Sequence, residues 1–175
     1  MSVPPSDPRY RATGYCMIRS AEIQNFRRFG EARLPECRRI NVVVGANGSG
    51  KTALLEALFL AGAASPEVVF RMRQWRGLDA AVSGTTAAVS EALWRDLFNN
   101  LDARKVIAVD LRGDDVHSRE FRIFHQPAEQ VLPLGANGDT PPQQAPVVFQ
   151  WRGPYGRNVT VSPVVGPNGV HIPPL

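Results

Sequence analysis

The chain reads as an α/β protein, and three features of the stretch 38–62 lead to that reading. Ile40 to Val44 is a short, nearly unbroken β-branched run, the pattern of a strand covered on both faces. Gly45-Ala46-Asn47-Gly48-Ser49-Gly50-Lys51-Thr52 then fits G-x-x-x-x-G-K-[ST]. Lys51 to Leu60 follows as a helix of good formers, without Pro or Gly. Strand, glycine loop and helix therefore stand in the order that a phosphate-binding loop requires.

Each residue type in the loop has a chemical reason. Glycines at 45, 48 and 50 allow positive φ and close approach of the backbone to phosphate oxygens. The backbone N–H groups of the octet, Ala46, Asn47 and Ser49 included, then form an anion nest at the positive end of the helix dipole. Lys51 is expected to reach the β- and γ-phosphates of ATP, and the Thr52 hydroxyl to ligate Mg²⁺. Only Lys51 and Lys105 of the twenty basic residues are lysines, and one falls where an ammonium is needed.

The two strands before this unit are also patterned. Ile18, Ala21, Ile23 and Phe26 predict a strand that breaks at Arg27 to Gly30, with Gly30 making the turn. Glu31 to Leu34 returns as its partner, and Pro35 ends it. The segment Met17-Ile-Arg-Ser-Ala-Glu-Ile-Gln-Asn-Phe-Arg-Arg-Phe29, then Leu34, then Ile40 through Leu58, resembles the opening of the RecF, SMC and OLD-nuclease group of ABC-type ATPases. That group typically reads I-x-N-F-R-x-F, then a strand into GxNGSGKT, then LLEAL; Asn47 and Glu56 sharpen the likeness. The resemblance implies the N-terminal lobe of an AAA-family P-loop NTPase. It also implies that the Asn-Phe-Arg turn lies beside bound nucleotide, so Asn25, Arg27 and Arg28 become candidate contacts.

Beyond Gly62 the family pattern fades. Ser65-Pro66-Glu67 has helix-start chemistry, and the helix is expected to reach Trp75. Gly77 to Thr86 reads as a loop. Ser90 is expected to cap a further helix, with Leu93, Trp94, Leu97, Phe98 and Leu101 as its apolar stripe. Val106 to Arg112 and Glu120 to His125 read as a β-hairpin around Gly113, and Phe149 to Arg152 with Asn158 to Val165 as another. Gly135 to Gly138 and Gly166 to Gly169 repeat the opening letters of the glycine loop without Gly-Lys-Thr, and read as turns. The expected organisation is thus a disordered extension over 1–16, a lobe over 17–126, a Pro/Gln/Gly-rich loop over 127–146, and a β-rich continuation over 147–175 that looks truncated.

At 175 residues, 43% hydrophobic and 21% charged, the chain has the composition of a soluble globular domain. A net charge of +4 and a pI near 9.6 permit an acidic partner such as DNA without requiring one. Cys16 and Cys37 are too few for a disulfide framework, and the three histidines lack metal-ligand spacing. With no signal-peptide pattern and no apolar run long enough for a membrane span, the expected compartment is the cytoplasm.

The resemblance also shows what a hydrolytic site would still need: a strand ending in two acidic residues, and a Ser-Gly-Gly signature from a second copy. Val106 to Asp110 imitates the acidic strand, but Leu111-Arg112 follows; Gln126 is a weak candidate for a metal-touching glutamine. Without the acidic strand, Ile40 to Val44 would expose an unpaired apolar edge. The implied function is therefore an ATP-binding lobe acting in DNA repair and maintenance or in anti-phage defence. ATP hydrolysis would belong to the complete protein, requiring a C-terminal half or partner subunit and a second copy, while this chain alone would bind ATP without efficient turnover. The alternative is a non-enzymatic, nucleotide-gated or nucleic-acid-binding subunit. A small P-loop kinase ranks lower for want of a recognisable lid. A GTPase is disfavoured because Asp110-Leu-Arg-Gly113 has no [NT]-K-x-D element to accompany it.

Overall fold

The computed structural model describes residues 17–63, 65, 67–77, 89, 92–113, 118–126, 147–153, 158–166 and 169–172. In order these form β1 (Ile18–Phe26), β2 (Phe29–Leu34), α1 (Lys51–Ala63), α2 (Glu67–Trp75), β3 (Ile107–Gly113), β4 (Arg119–His125), β5 (Val147–Arg152), β6 (Asn158–Val161), β7 (Val164–Gly166) and β8 (Gly169–His171). Strands β1 to β6 make one sheet of order β2-β1-β3-β4-β5-β6, while β7 and β8 pair separately. Every pairing is antiparallel.

The register explains why this sheet has one apolar face. Ile23 stands opposite Val109, Val109 opposite Phe121, Phe121 opposite Trp151, and Trp151 opposite Val159. A neighbouring row runs Ile107, Ile123, Phe149 and Val161. Because strand side chains alternate, these rows share one face, and all of them except the partly buried Val159 are buried. Each large apolar side chain removed from water contributes roughly 1.5–3 kcal/mol. The face is covered by α1, through Ala53, Leu54, Ala57, Leu60 and Ala61, and by α2, through Val68, Val69 and Met72.

The C-terminal end of α1 is tied to the sheet by side chains. Trp151 Nε1 donates to Leu60 O at 2.9 Å, and Arg119 Nη1 donates to Gly62 O at 2.8 Å. Both carbonyls lie in the last turn of α1. At the start of α2, Glu67 N donates to Ser65 Oγ at 3.3 Å, the expected cap.

Besides the strand expected over Asn158 to Val165, which ends at Val161 while Val164–Gly166 pairs with β8 instead, three expectations change. The β1–β2 turn is made by Arg27 and Arg28, since Phe26 pairs with Phe29 and Gly30 already lies in β2. The helix expected over 90–101 does not continue: residues 92–94 are helical, but Arg95–Leu97 and Asn99–Leu101 are 3₁₀ turns separated by a β-bridge from Phe98 to Phe26. Positive φ at Asn100 and Leu101 is incompatible with a helix, and Leu101 is half-exposed while Leu93, Trp94, Leu97 and Phe98 are buried.

The third change concerns Ile40 to Val44, which form no strand. Cys37 N still donates to Arg19 O at 2.6 Å, and the Asn41 side chain bonds back to Arg38. Beyond that point no described strand offers ladder partners, and a strand needs them. Ile40, Val42 and Val44 are 81%, 81% and 84% exposed.

The expected extension over 1–16, the loop between Gly77 and Thr86 from residue 78 onward, the cap at Ser90, and the whole of the 127–146 loop with its Gly135–Gly138 turn lie outside the described residues. None of the described helices is long and apolar enough to cross a membrane.

Candidate functional site

After Val44 the chain turns back on itself. Ser49 N donates to Ala46 O at 3.2 Å, and Gly48 and Gly50 adopt φ of +74° and +103°. Those values favour glycine because a Cβ would clash with the backbone. Helix α1 then starts at Lys51, with Leu54 N donating to Gly50 O at 2.9 Å. Lys51 Nζ bends over the loop and donates to Gly45 O at 2.7 Å and to Ala46 O at 2.8 Å. An oxyanion entering here would meet an ammonium held only by neutral carbonyls, beside the positive end of a thirteen-residue helix.

The β1–β2 turn reaches the same place. Arg27 has φ +48°, a strained value for a side-chain-bearing residue. Both of its backbone groups are claimed by the segment after α2: Arg27 N donates to Leu97 O at 2.7 Å, and Asn99 Nδ2 donates to Arg27 O at 2.8 Å. The irregular 95–101 segment is thus the clamp that holds the arginine turn in shape.

Between loop and turn lies a cleft of about 720 Å³. Of the residues singled out from sequence, Arg27, Arg28, Asn47, Gly48, Gly50, Lys51 and Thr52 line it. Gly45, Ala46 and Ser49 shape the loop through the bonds above. Asn25 does not line it; its Nδ2 donates to Val106 O at 2.9 Å and ties β1 to the approach to β3. Asp110 is also elsewhere. It alternates with the core residues Val109 and Leu111, so it faces away from α1, and it accepts a hydrogen bond from Arg122.

Among the lining and supporting residues that had no nucleotide-site role in the sequence reading are Trp75, Arg76 and Asp96 from the segments after α1, and Glu56 beneath them. Glu56 is 4% exposed. Arg76 donates to both of its oxygens, from Nε at 2.6 Å and from Nη2 at 2.8 Å. Arg27 Nε lies 2.8 Å from Glu56 Oε2, an ion pair in which the N–H is not aimed at the oxygen. Arg27 Nη1 donates to Asp96 at 3.1 Å, and Arg73 lies 3.5 Å from the other Asp96 oxygen. The Glu56 hydrogen bond, aided by the charges of Glu56 and Asp96, raises the Arg76 guanidinium above its ordinary value against the opposing effect of burial. Sequence gave one hint of this: Glu56 follows Thr52 by four residues, which puts both on one side of α1.

Comparison with known proteins places the sequence in a family. The sequence profile of the AAA ATPase domain matches residues 17–123, from the start of β1 through most of β4. The chain belongs to that family. Within it, the N-terminal region is RecF-like, as its motifs implied. It is 47% identical over 45 residues to the DNA replication and repair protein RecF of Idiomarina loihiensis, covering 26% of this chain and 13% of that protein. It is 58% identical over 40 residues to the RecF of Psychromonas ingrahamii, covering 23% of this chain and 11% of that protein. An uncharacterized protein of Methanocaldococcus jannaschii is 42% identical over 45 residues, covering 26% of this chain and 20% of its own length. The matches thus span about an eighth of the length of the RecF relatives. No solved structure matches the chain. Among the described residues, no cluster of His, Cys, Asp and Glu side chains is arranged to hold a metal ion.

Proposed function

We propose that this chain is the ATP-binding lobe of a RecF-like ATPase acting in DNA repair and maintenance or in anti-phage defence. The observation that carries the reading is convergence: Lys51 and Thr52 from the start of α1, and Arg27 and Arg28 from the β1–β2 turn, line one cleft. The chemistry fits a triphosphate, because cations and a helix N-terminus surround space for an anion. Lys51 would exchange its loop carbonyls for phosphate oxygens, Arg27 and Arg28 would balance the remaining charge, and Thr52 would offer its hydroxyl to Mg²⁺. Bound magnesium would neutralise charge on the β- and γ-phosphates.

Turnover in this reading needs parts that the described residues do not supply. The surroundings of the glycine loop support a further layer. Ile40, Val42 and Val44 are exposed, as are Leu55, Phe59 and Trp75, with the rings of Phe59 and Trp75 centred 5.1 Å apart. Such apolar surface is what a C-terminal half or partner subunit would cover, and a second copy would complete the hydrolytic site. The protein would work in the cytoplasm, with DNA as a possible acidic partner.

The test is equilibrium binding of magnesium-ATP to the chain and to Lys51→Ala. The variant should lose binding; retention of wild-type affinity would remove the basis of the proposal. DNA binding through arginines, measured separately, should weaken steeply as salt rises.

A further inference from the structure

The charges beneath the cleft do not balance as a purely structural network would. Three guanidiniums, those of Arg27, Arg73 and Arg76, share two carboxylates, Glu56 and Asp96. The Arg27 side chain is 9% exposed, and its Nη2 has no hydrogen-bond partner. A buried cationic N–H without an acceptor is costly, and it persists here on the wall of a cleft already lined by Lys51 and Arg28.

Among the described residues, Glu56 pairs with both Arg27 and Arg76. It grips Arg76 with two parallel bonds, a geometry that fixes the plane of the guanidinium as well as its position. It also stands 2.8 Å from Arg27 Nε. Arg27 belongs to the β1–β2 turn and Arg76 to the residues just past α2, so this single α1 carboxylate links three parts of the chain at the cleft wall.

We propose that Glu56 is a positioning residue of the cleft, which sets where the guanidiniums of Arg27 and Arg76 stand and thereby the affinity for a polyphosphate. This rests on reading the cleft as a polyphosphate site. It makes a claim opposite to simple electrostatics. A carboxylate beside an anion site repels the anion, so its removal should tighten binding if charge alone mattered. If Glu56 positions the arginines, its removal should loosen binding although the cleft becomes more positive.

The experiment measures binding of magnesium-ATP, and of inorganic tripolyphosphate, to the full chain and its variants. Glu56→Gln keeps the shape and removes the charge; Glu56→Asp keeps the charge and withdraws it by one methylene. Both should weaken binding by on the order of tenfold, as loss of an orienting outer group does at other sites. A second readout follows the cleft wall itself. Trp75, next to Arg76, is 66% exposed, whereas Trp94 and Trp151 are buried. Ligand should reduce acrylamide quenching of the exposed tryptophan in wild type, and Glu56→Asp should lose that response while the buried tryptophans keep their emission. Arg76→Lys, which retains charge without two-pronged bonding, should behave like Glu56→Asp and serves if Glu56→Gln does not fold.

Tighter binding by Glu56→Gln, or wild-type affinity in both Glu56→Asp and Arg76→Lys, would overturn the positioning role. Lys51→Ala separates the two levels. If wild type binds, Lys51→Ala does not, and the Glu56 and Arg76 variants match wild type, only the role of Glu56 falls. If wild type fails to bind either probe, the nucleotide reading falls and the role of Glu56 with it.

Discussion

A Cβ added to Gly50 would stand 2.8 Å from Cζ of Phe29, closer than carbon atoms normally approach. Phe29 is the first residue of β2, directly after the arginine turn, so the last glycine of the loop is fitted against the ring that follows Arg27 and Arg28. Loop and turn are therefore set against each other by packing as well as by shared polar surroundings. Gly50→Ala would add a methyl group at φ +103° and displace that ring. Strain of this kind costs about 1–3 kcal/mol. The expected result is a lower melting temperature together with weaker ATP binding, measured by thermal unfolding and calorimetric titration. Unchanged affinity and unchanged melting would show that the contact carries nothing.

Trp151→Phe tests how α1 is moored. The indole N–H donates to Leu60 O, a carbonyl in the last turn of the helix, and so ties that turn to β5. Phe keeps most of the ring packing and removes one buried hydrogen bond, a change worth about 0.5–1.5 kcal/mol. Denaturant unfolding should show this loss with an unchanged slope, and amide exchange should speed up at the end of α1. A cost below about 0.5 kcal/mol, the lower end of what a net hydrogen bond contributes, would contradict the mooring role.

Much of this arrangement was legible in the sequence, for reasons that differ by element. Strands β1, β3 and β4 follow from alternation, because a sheet with one covered face imposes a period of two on residues such as Ile107, Val109 and Leu111. The glycine loop was legible because positive φ at Gly48 and Gly50 leaves a direct mark on composition. The 95–101 segment was not legible, since Leu93, Trp94, Leu97 and Phe98 have α-helical spacing and are buried, but past residue 94 the segment forms two 3₁₀ turns about the Phe98 bridge and no α-helix. There the bridge from Phe98 to Phe26 and the bonds to Arg27 override local propensity. Ile40 to Val44 fail as a strand for a different reason: β-branched residues favour extended backbone, but pairing depends on a neighbour. The place of Arg76 on the cleft wall was not legible because its link to Glu56 spans twenty residues and no spacing rule encodes it.

Asn99 supplies the next test. Its Nδ2 donates to Arg27 O at 2.8 Å and helps hold a backbone conformation that arginine rarely adopts. Asn99→Ala removes the donor, with an expected loss of about 1–2 kcal/mol and weaker ATP binding through a loosened turn. Asn99→Asp should be worse than Asn99→Ala, because an ionised carboxylate would face the carbonyl that the amide now satisfies. Wild-type melting temperatures for both variants would indicate that the turn is held by the Arg27 N to Leu97 O bond alone.

The exposed run Ile40 to Val44 makes the most distinctive demand on the isolated chain. Val42 and Val44 are among its most exposed large apolar residues, and among the described residues no strand pairs with them. A segment of high β-propensity without charge or Pro is a template for pairing with another copy. Replacing Val42 and Val44 together with Lys therefore removes no packing from the fold and adds repulsion where copies would meet. The melting temperature of the double variant should stay within the change expected for surface substitutions, about 0.5 kcal/mol in free energy. Light scattering at raised concentration should show less self-association than in wild type. A clear loss of stability would mean that these valines pack against something in the folded chain, and unchanged association would move the sticky surface to the other apolar group, Leu55, Phe59 and Trp75.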